Sequence, residues 1–175
     1  MARIISIVGL KGAGKTTLAV ALSSEFVRKG RRVMNIREAE TVNAVDQPGA
    51  ETSRYFLEGK AERVLVAGPG QRAVFDRAYA VHDPEVLATR FLEEADLVLV
   101  EGFSTAPIPK IEIFRRTAGS APLYKADQPN AGEWLAIVTD DEKLQAAVPV
   151  LRFRDTMWLH LLASLAWDRA KPLNG

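Results

Sequence analysis

Along this chain, short β-branched runs alternate with stretches whose apolar residues recur at helical spacing. Arg3-Ile4-Ile5-Ser6-Ile7-Val8 reads as a buried strand, and residues 18–27 as a helix ended near Lys29-Gly30, with Gly30 as its C-terminal cap. Residues 32–37 read as a second strand, followed by a polar stretch, 38–48, with few apolar anchors. Residues 49–58 form a short helix stopped at Gly59, and 63–67 and 73–75 form two strands about the turn Gly68-Pro69-Gly70, an antiparallel hairpin. A helix runs from Asp83-Pro84 to about Glu94, with Asp83 as N-cap and Pro84 as its first residue. Leu97-Val98-Leu99-Val100 is the strongest strand, an unbroken apolar run suited to a sheet centre covered on both faces. Residues 110–115 alternate as a neighbouring strand should, 118–132 form a surface loop, and 135–138 are another buried strand ending in Thr139-Asp140-Asp141. Residues 150–153 make an edge strand, and Asp155 opens a closing helix. The alternation predicts an α/β fold: a mostly parallel sheet covered by helices on both faces, with a small antiparallel hairpin insertion, in a single domain spanning residues 1–175.

Composition narrows the partners more than the fold. The 175 residues suit one domain with a sizeable core, and 47% apolar against 26% charged is ordinary for a soluble protein. A net charge of +1 argues against nucleic acid or an anionic membrane as a general partner. The absence of cysteine excludes disulfides and thiolate metal sites and fits a cytoplasmic protein. The first strand begins almost at residue 1, leaving no room for a signal peptide, and the most apolar segment, 157–167, is interrupted by His160 and too short to span a bilayer.

The chemistry is concentrated after the first strand. Gly9-Leu10-Lys11-Gly12-Ala13-Gly14-Lys15-Thr16-Thr17 matches the phosphate-binding loop at every fixed position, between a strand and a helix as that motif requires. Glycines let backbone N–H groups turn inward around a phosphate, and the following helix adds the positive end of its dipole. Lys15 is expected to reach the β- and γ-phosphates and the Thr16 hydroxyl to ligate Mg²⁺, while Thr17 caps or packs the first helical turn. Lys11 lies four residues before Lys15, one short of the spacing at which a loop lysine reaches across a dimer, and contributes either positive potential or a solvated charge.

A cation needs an acidic partner, expected at the end of a neighbouring buried strand. Glu101 stands there, and the adjacent Gly102 would bring a backbone N–H to the γ-phosphate. Asp46, in the polar stretch after the second strand, is either a second holder of the Mg²⁺ shell or a solvated loop aspartate. Asp140 is either a reader of guanine, whose N1–H and 2-amino group suit an acceptor, or part of a strand-end turn. His82 and His160 show no ligand spacing, and Arg115-Arg116 read as a solvated strand end or a contact for an anion. Trp158, Leu161, Leu162, Leu165 and Trp167 pack the core from the closing helix, with a dimer or partner surface accounting for any surplus.

Asp96-Leu97-Val98-Leu99-Val100-Glu101-Gly102-Phe103, followed by Pro109-Lys110-Ile111-Glu112-Ile113, resembles the MobB family, the molybdopterin-guanine dinucleotide biosynthesis adaptor proteins. The stretch Asp46-Gln47-Pro48-Gly49-Ala50-Glu51-Thr52-Ser53-Arg54 and the hairpin after it are similar to that family too, so the resemblance covers most of residues 3–140. It implies a GTPase-type fold, a homodimer, a molybdopterin guanylyltransferase partner of MobA type, and a role in attaching GMP to molybdopterin. The sequence departs from the family where a histidine cluster commonly follows the second strand: residues 36–43 hold none, and Ala50, Glu51 and Tyr55 replace the family's lysine, aspartate and histidine. The reading is a protein that binds GTP with Mg²⁺ and hydrolyses it slowly. Its competitors are an ATP-dependent small-molecule kinase or ligase on the same fold, and a non-hydrolysing adaptor controlled by nucleotide.

Overall fold

Alternate residues of the strongest apolar run enter opposite faces of one sheet. Strand β5 (Leu97–Glu101) sends Leu97 and Leu99 into one core and Val98 and Val100 into the other. The structure, a computed structural model, describes residues 1–39, 51–77 and 83–173, without the side chains of 51–53. Asp46, Gly49, Ala50 and His82 lie outside the described residues. The chain divides into two compact units, Met1–Glu38 with His82–Gly175, and Ala39–Val81.

In the first unit β5 lies between β1 (Arg3–Val8) and β2 (Val33–Arg37), and the sheet continues through β6 (Lys110–Phe114), β7 (Trp134–Thr139) and β8 (Val150–Arg152). The order is β2-β5-β1-β6-β7-β8, every pair parallel. A seventh strand, β9 (Lys171–Pro172), runs antiparallel to β1 at Arg3 and Ile4, where β6, which meets β1 only from Ser6 onward, has not yet arrived.

Helices α1 (Lys15–Arg28) and α4 (Trp158–Arg169) cover one face: Leu18, Leu22, Phe26, Leu162 and Ala166 join Ile5, Ile7, Leu99, Ile111 and Ile113 in one core. Helix α3 (Pro84–Phe91) covers the other, where Ala88 joins Ile4, Val98, Val100, Ile108 and Leu173. The α/β fold with helices on both faces is therefore as the pattern predicts. Asp83 caps α3 by accepting the N–H groups of Glu85 and Val86 at 2.7 and 3.3 Å, and Gly30, at φ +76°, follows the end of α1.

Two expectations change. The closing helix begins at Trp158 rather than Asp155, because the Asp155 carboxylate accepts the Arg152 N–H at 3.0 Å and so ties off the end of β8. Strand β6 is buried along its whole length, Lys110 and Glu112 included, so the segment after it is not merely a surface loop. The supposed surface loop roofs it. Glu112 accepts the N–H groups of Leu123 and Tyr124 at 2.6 and 3.0 Å, while the Lys110 ammonium donates to the carbonyls of Ala106 and Ile108 and pairs with Glu133. Buried charges survive only when they are satisfied in this way.

The second unit holds α2 (Glu51–Leu57) and a hairpin of β3 (Arg63–Gly68) and β4 (Gln71–Asp76). Its turn is the two residues Pro69-Gly70, with Gly70 at φ +77°, a conformation glycine adopts at no steric cost. Arg63 faces Asp76 directly across the strands and forms an ion pair with it. Among the described residues, no helix is long and apolar enough to cross a membrane.

Candidate functional site

The phosphate-loop sequence leaves β1 through a backbone path that side chains would block. Gly9 has φ +152°, and a Cβ there would lie 2.3 Å from the Ile113 carbonyl oxygen on β6. Gly12 and Gly14 are also left-handed, at +81° and +101°, and Gly14 is the residue that caps α1. No side chain caps that helix, so Thr17 does not, and the amides of its first turn have no intrahelical partner. Ala13 is buried, its N–H bonded to the Leu10 carbonyl at 3.1 Å. Lys15 arches back over the loop and donates to the Gly9 and Leu10 carbonyls at 3.0 and 3.2 Å. Lys11 is exposed.

The sheet register brings the acidic partner. Glu101 is aligned with Ile7 at the end of β1, and its two carboxylate oxygens lie 2.9 and 2.8 Å from the Thr16 hydroxyl. Arg37, aligned with Glu101 across β2, approaches it to 3.9 Å. A hydroxyl beside a carboxylate at the mouth of a phosphate loop is a set of hard oxygen donors and fits Mg²⁺. Among the described residues no three His, Asp or Glu side chains converge on one point, so a cation here would share its shell with a ligand's oxygens.

At Gly102 the geometry corrects a detail. Its N–H, expected to face a phosphate, donates to the Ile7 carbonyl at 3.0 Å, and its own carbonyl accepts the Ser6 hydroxyl at 2.6 Å. The next amide, of Phe103, is taken at 2.7 Å by the carboxylate of Glu38. A Cβ on Gly102 would meet that same carboxylate at 2.5 Å.

Beside the first turn of α1 lies a cavity of about 400 Å³, lined by Thr17, Leu18, Ile113, Arg115, Asp140, Phe153 and Trp158. Asp140 stands between a strand end and this cavity. One carboxylate oxygen accepts the Arg116 N–H at 3.1 Å and closes the strand end, while the side chain also lines the cavity. The turn after β7 is built by its neighbours: Thr139 accepts the Asp141 N–H at 3.0 Å, and Asp141 accepts that of Lys143 at 2.9 Å.

Arg115, which the sequence offers only as a solvated strand end or a contact for an anion, lines the same cavity. It donates through Nε to the Ala13 carbonyl at 3.1 Å, lies 4.5 Å from the centre of the Phe153 ring, and stands 3.9 Å from Asp140. The signal for that position was its phase: two residues after Ile113 and four after Ile111, it continues the strand face that packs under α1. Phe153 and Trp158, whose rings meet edge-on at 5.3 Å, complete the wall. His160 stays outside this site, its Nδ1 3.5 Å from Glu25.

The family model for MobB, molybdopterin guanine dinucleotide synthesis protein B, matches residues 4–140. The chain belongs to the MobB family. A molybdopterin-guanine dinucleotide biosynthesis adapter protein of Haemophilus influenzae is 32% identical over 126 residues, 71% of this chain and 70% of that one. The protein of the same description from Escherichia coli is 31% identical over 128 residues, 70% of this chain and 71% of that one. The crystal structure of Bacillus subtilis MobB superposes with a TM-score of 0.66 at 22% identity, covering 93% of this chain and 97% of that one. A MobB homologue from Bacillus stearothermophilus gives 0.62 at 23%, with the same coverage. These two likenesses establish the MobB fold. The matched segment contains the loop, Glu101 and Asp140, whereas Phe153 and Trp158 lie beyond it.

Proposed function

We propose that this MobB-family chain binds GTP with Mg²⁺ on the loop of residues 9–17, hydrolyses it slowly, and serves as an accessory protein in molybdopterin guanine dinucleotide synthesis. One observation carries the reading: the Thr16 hydroxyl from the first turn of α1 and the Glu101 carboxylate from the end of β5 meet beside a loop over which Lys15 is already folded. In this reading the first-turn amides and Lys15 hold the β- and γ-phosphates. Thr16 and Glu101 hold the cation. Bound Mg²⁺ supplies charge neutralisation between the phosphates. Loop amides and Lys15 stabilise the charge that develops on the transferring phosphoryl group, and that electrostatic stabilisation is the chain's main contribution to rate. The base enters the cavity at Asp140. The protein acts in the cytoplasm as a homodimer, alongside a guanylyltransferase of MobA type.

Calorimetric titration with GTP and ATP analogues, with and without Mg²⁺, tests this directly. Tight, Mg²⁺-dependent and guanine-selective binding is expected. Lys15→Ala is expected to abolish triphosphate binding while leaving the circular dichroism spectrum and unfolding midpoint near those of the parent. Unchanged affinity in that variant would sink the proposal. A second reading, an adaptor that uses nucleotide without hydrolysing it, is favoured by the description of both relatives as adapter proteins. It predicts nucleotide-dependent changes in mass with no release of phosphate.

A further inference from the structure

The cavity beside α1 has the walls of a base pocket and a polar edge that suits one purine better than the other. Leu18, Ile113, Phe153 and Trp158 give it apolar sides, and its two charged lining groups, Arg115 and Asp140, stand next to each other at 3.9 Å. It opens against Thr17 and Leu18, immediately after the loop lysine and threonine, within reach of a group tethered to phosphates on the loop.

The guanidinium carries five N–H donors, of which the one on Nε is committed to Ala13. One oxygen of Asp140 is committed to the Arg116 N–H, and the other faces Arg115 beyond hydrogen-bond distance. The pair therefore offers a donor beside an acceptor. Guanine presents the complement, an acceptor at O6 beside donors at N1 and the 2-amino group. Adenine reverses the pattern at the same edge, with a 6-amino donor facing the guanidinium and a bare N1 facing the carboxylate. Such a mismatch leaves partly desolvated polar groups unpaired, which is the strongest source of discrimination between similar ligands.

We infer that Arg115 is a specificity-determining residue that reads the O6 edge of guanine, with Asp140 reading N1–H and the 2-amino group. This rests on the nucleotide reading proposed above. Arg115 also ties this edge to the phosphate loop, because the same side chain holds the Ala13 carbonyl.

The test separates base reading from loop support. Binding of GTP, ITP, ATP and inorganic tripolyphosphate, each with Mg²⁺, is measured for the parent, Arg115→Ala and Arg115→Lys. ITP keeps O6 and N1–H but lacks the 2-amino group, so it isolates the Arg115 contact from the contact that Asp140 makes with that group. Arg115→Ala is expected to lose about 10-fold to 100-fold in affinity for GTP and ITP alike. Its affinity for ATP and tripolyphosphate should fall only by the smaller part that Arg115 contributes through the Ala13 carbonyl, leaving the loss for GTP and ITP about 10-fold greater. Arg115→Lys, which keeps a cation able to reach Ala13, should hold tripolyphosphate as the parent does and still lose selectivity. A parallel fall for all four ligands would overturn the inference, since Arg115 would then act through the loop. A parent that binds GTP and ATP equally would overturn it too, while leaving a nucleotide site standing. Binding of neither GTP nor tripolyphosphate by the parent would end the nucleotide reading itself, and the inference with it.

Discussion

Glu112 is a fully buried carboxylate, and its surroundings set a pH response. Burial raises its pKa above the ordinary 4.5, and the N–H groups of Leu123 and Tyr124 offset only part of that rise. The folded state thus holds this proton more tightly than the unfolded chain does. Its contribution to stability is fullest below the unfolded-state pKa and is lost as pH rises through the folded one. Glu112→Gln removes the titration. The stability of the parent relative to this variant is therefore expected to be greatest near pH 4 and to decline as the pH is raised. Urea midpoints measured for both proteins from pH 4 to 8 check it, and a difference independent of pH would contradict it.

At the scale of elements, the junction of β1 and β6 leaves no room for a side chain at Gly9. Gly9→Ala places a methyl 2.3 Å from the Ile113 carbonyl in a strained backbone region, and should cost about 3 kcal/mol of stability. Gly12→Ala is also left-handed but meets nothing within 4 Å, and should cost about 1 kcal/mol. Denaturant unfolding of the two variants measures the difference. Elements were legible in the sequence where local chemistry and tertiary packing agree. The two faces of β5, the cap of α3 at Asp83 and the turn at Pro69-Gly70 all follow from residue type and spacing. They were illegible where a distant segment decides. The alternation of Lys110 and Glu112 says nothing of the loop that covers them, and β9, two residues long, has no periodicity to read. The site divides the same way. Lys15, Thr16 and Glu101 are fixed by motif and strand end, whereas Arg115 depends on which helix lies over its strand face.

For the larger unit as a whole, β9 closes the sheet. Leu173 is buried in the core beneath α3, its N–H donates to the Ala2 carbonyl at 2.9 Å, and Lys171 pairs with Glu85 on α3 at 2.7 Å. Leu173→Ala removes core contacts far along β1 from the loop. It is expected to cost about 2 kcal/mol in thermal or urea unfolding, with ligand affinity unchanged at temperatures where the protein is folded.

Lys15 and Thr16 are already held, by the loop's own carbonyls and by Glu101. Immobilising a lysine side chain costs up to about 2 kcal/mol in rotamer entropy. Here that loss has been taken during folding rather than at the encounter with a ligand. The proposed triphosphate would find side chains that exchange one partner for another, and its binding would carry little of the entropic penalty of ordering a loose loop.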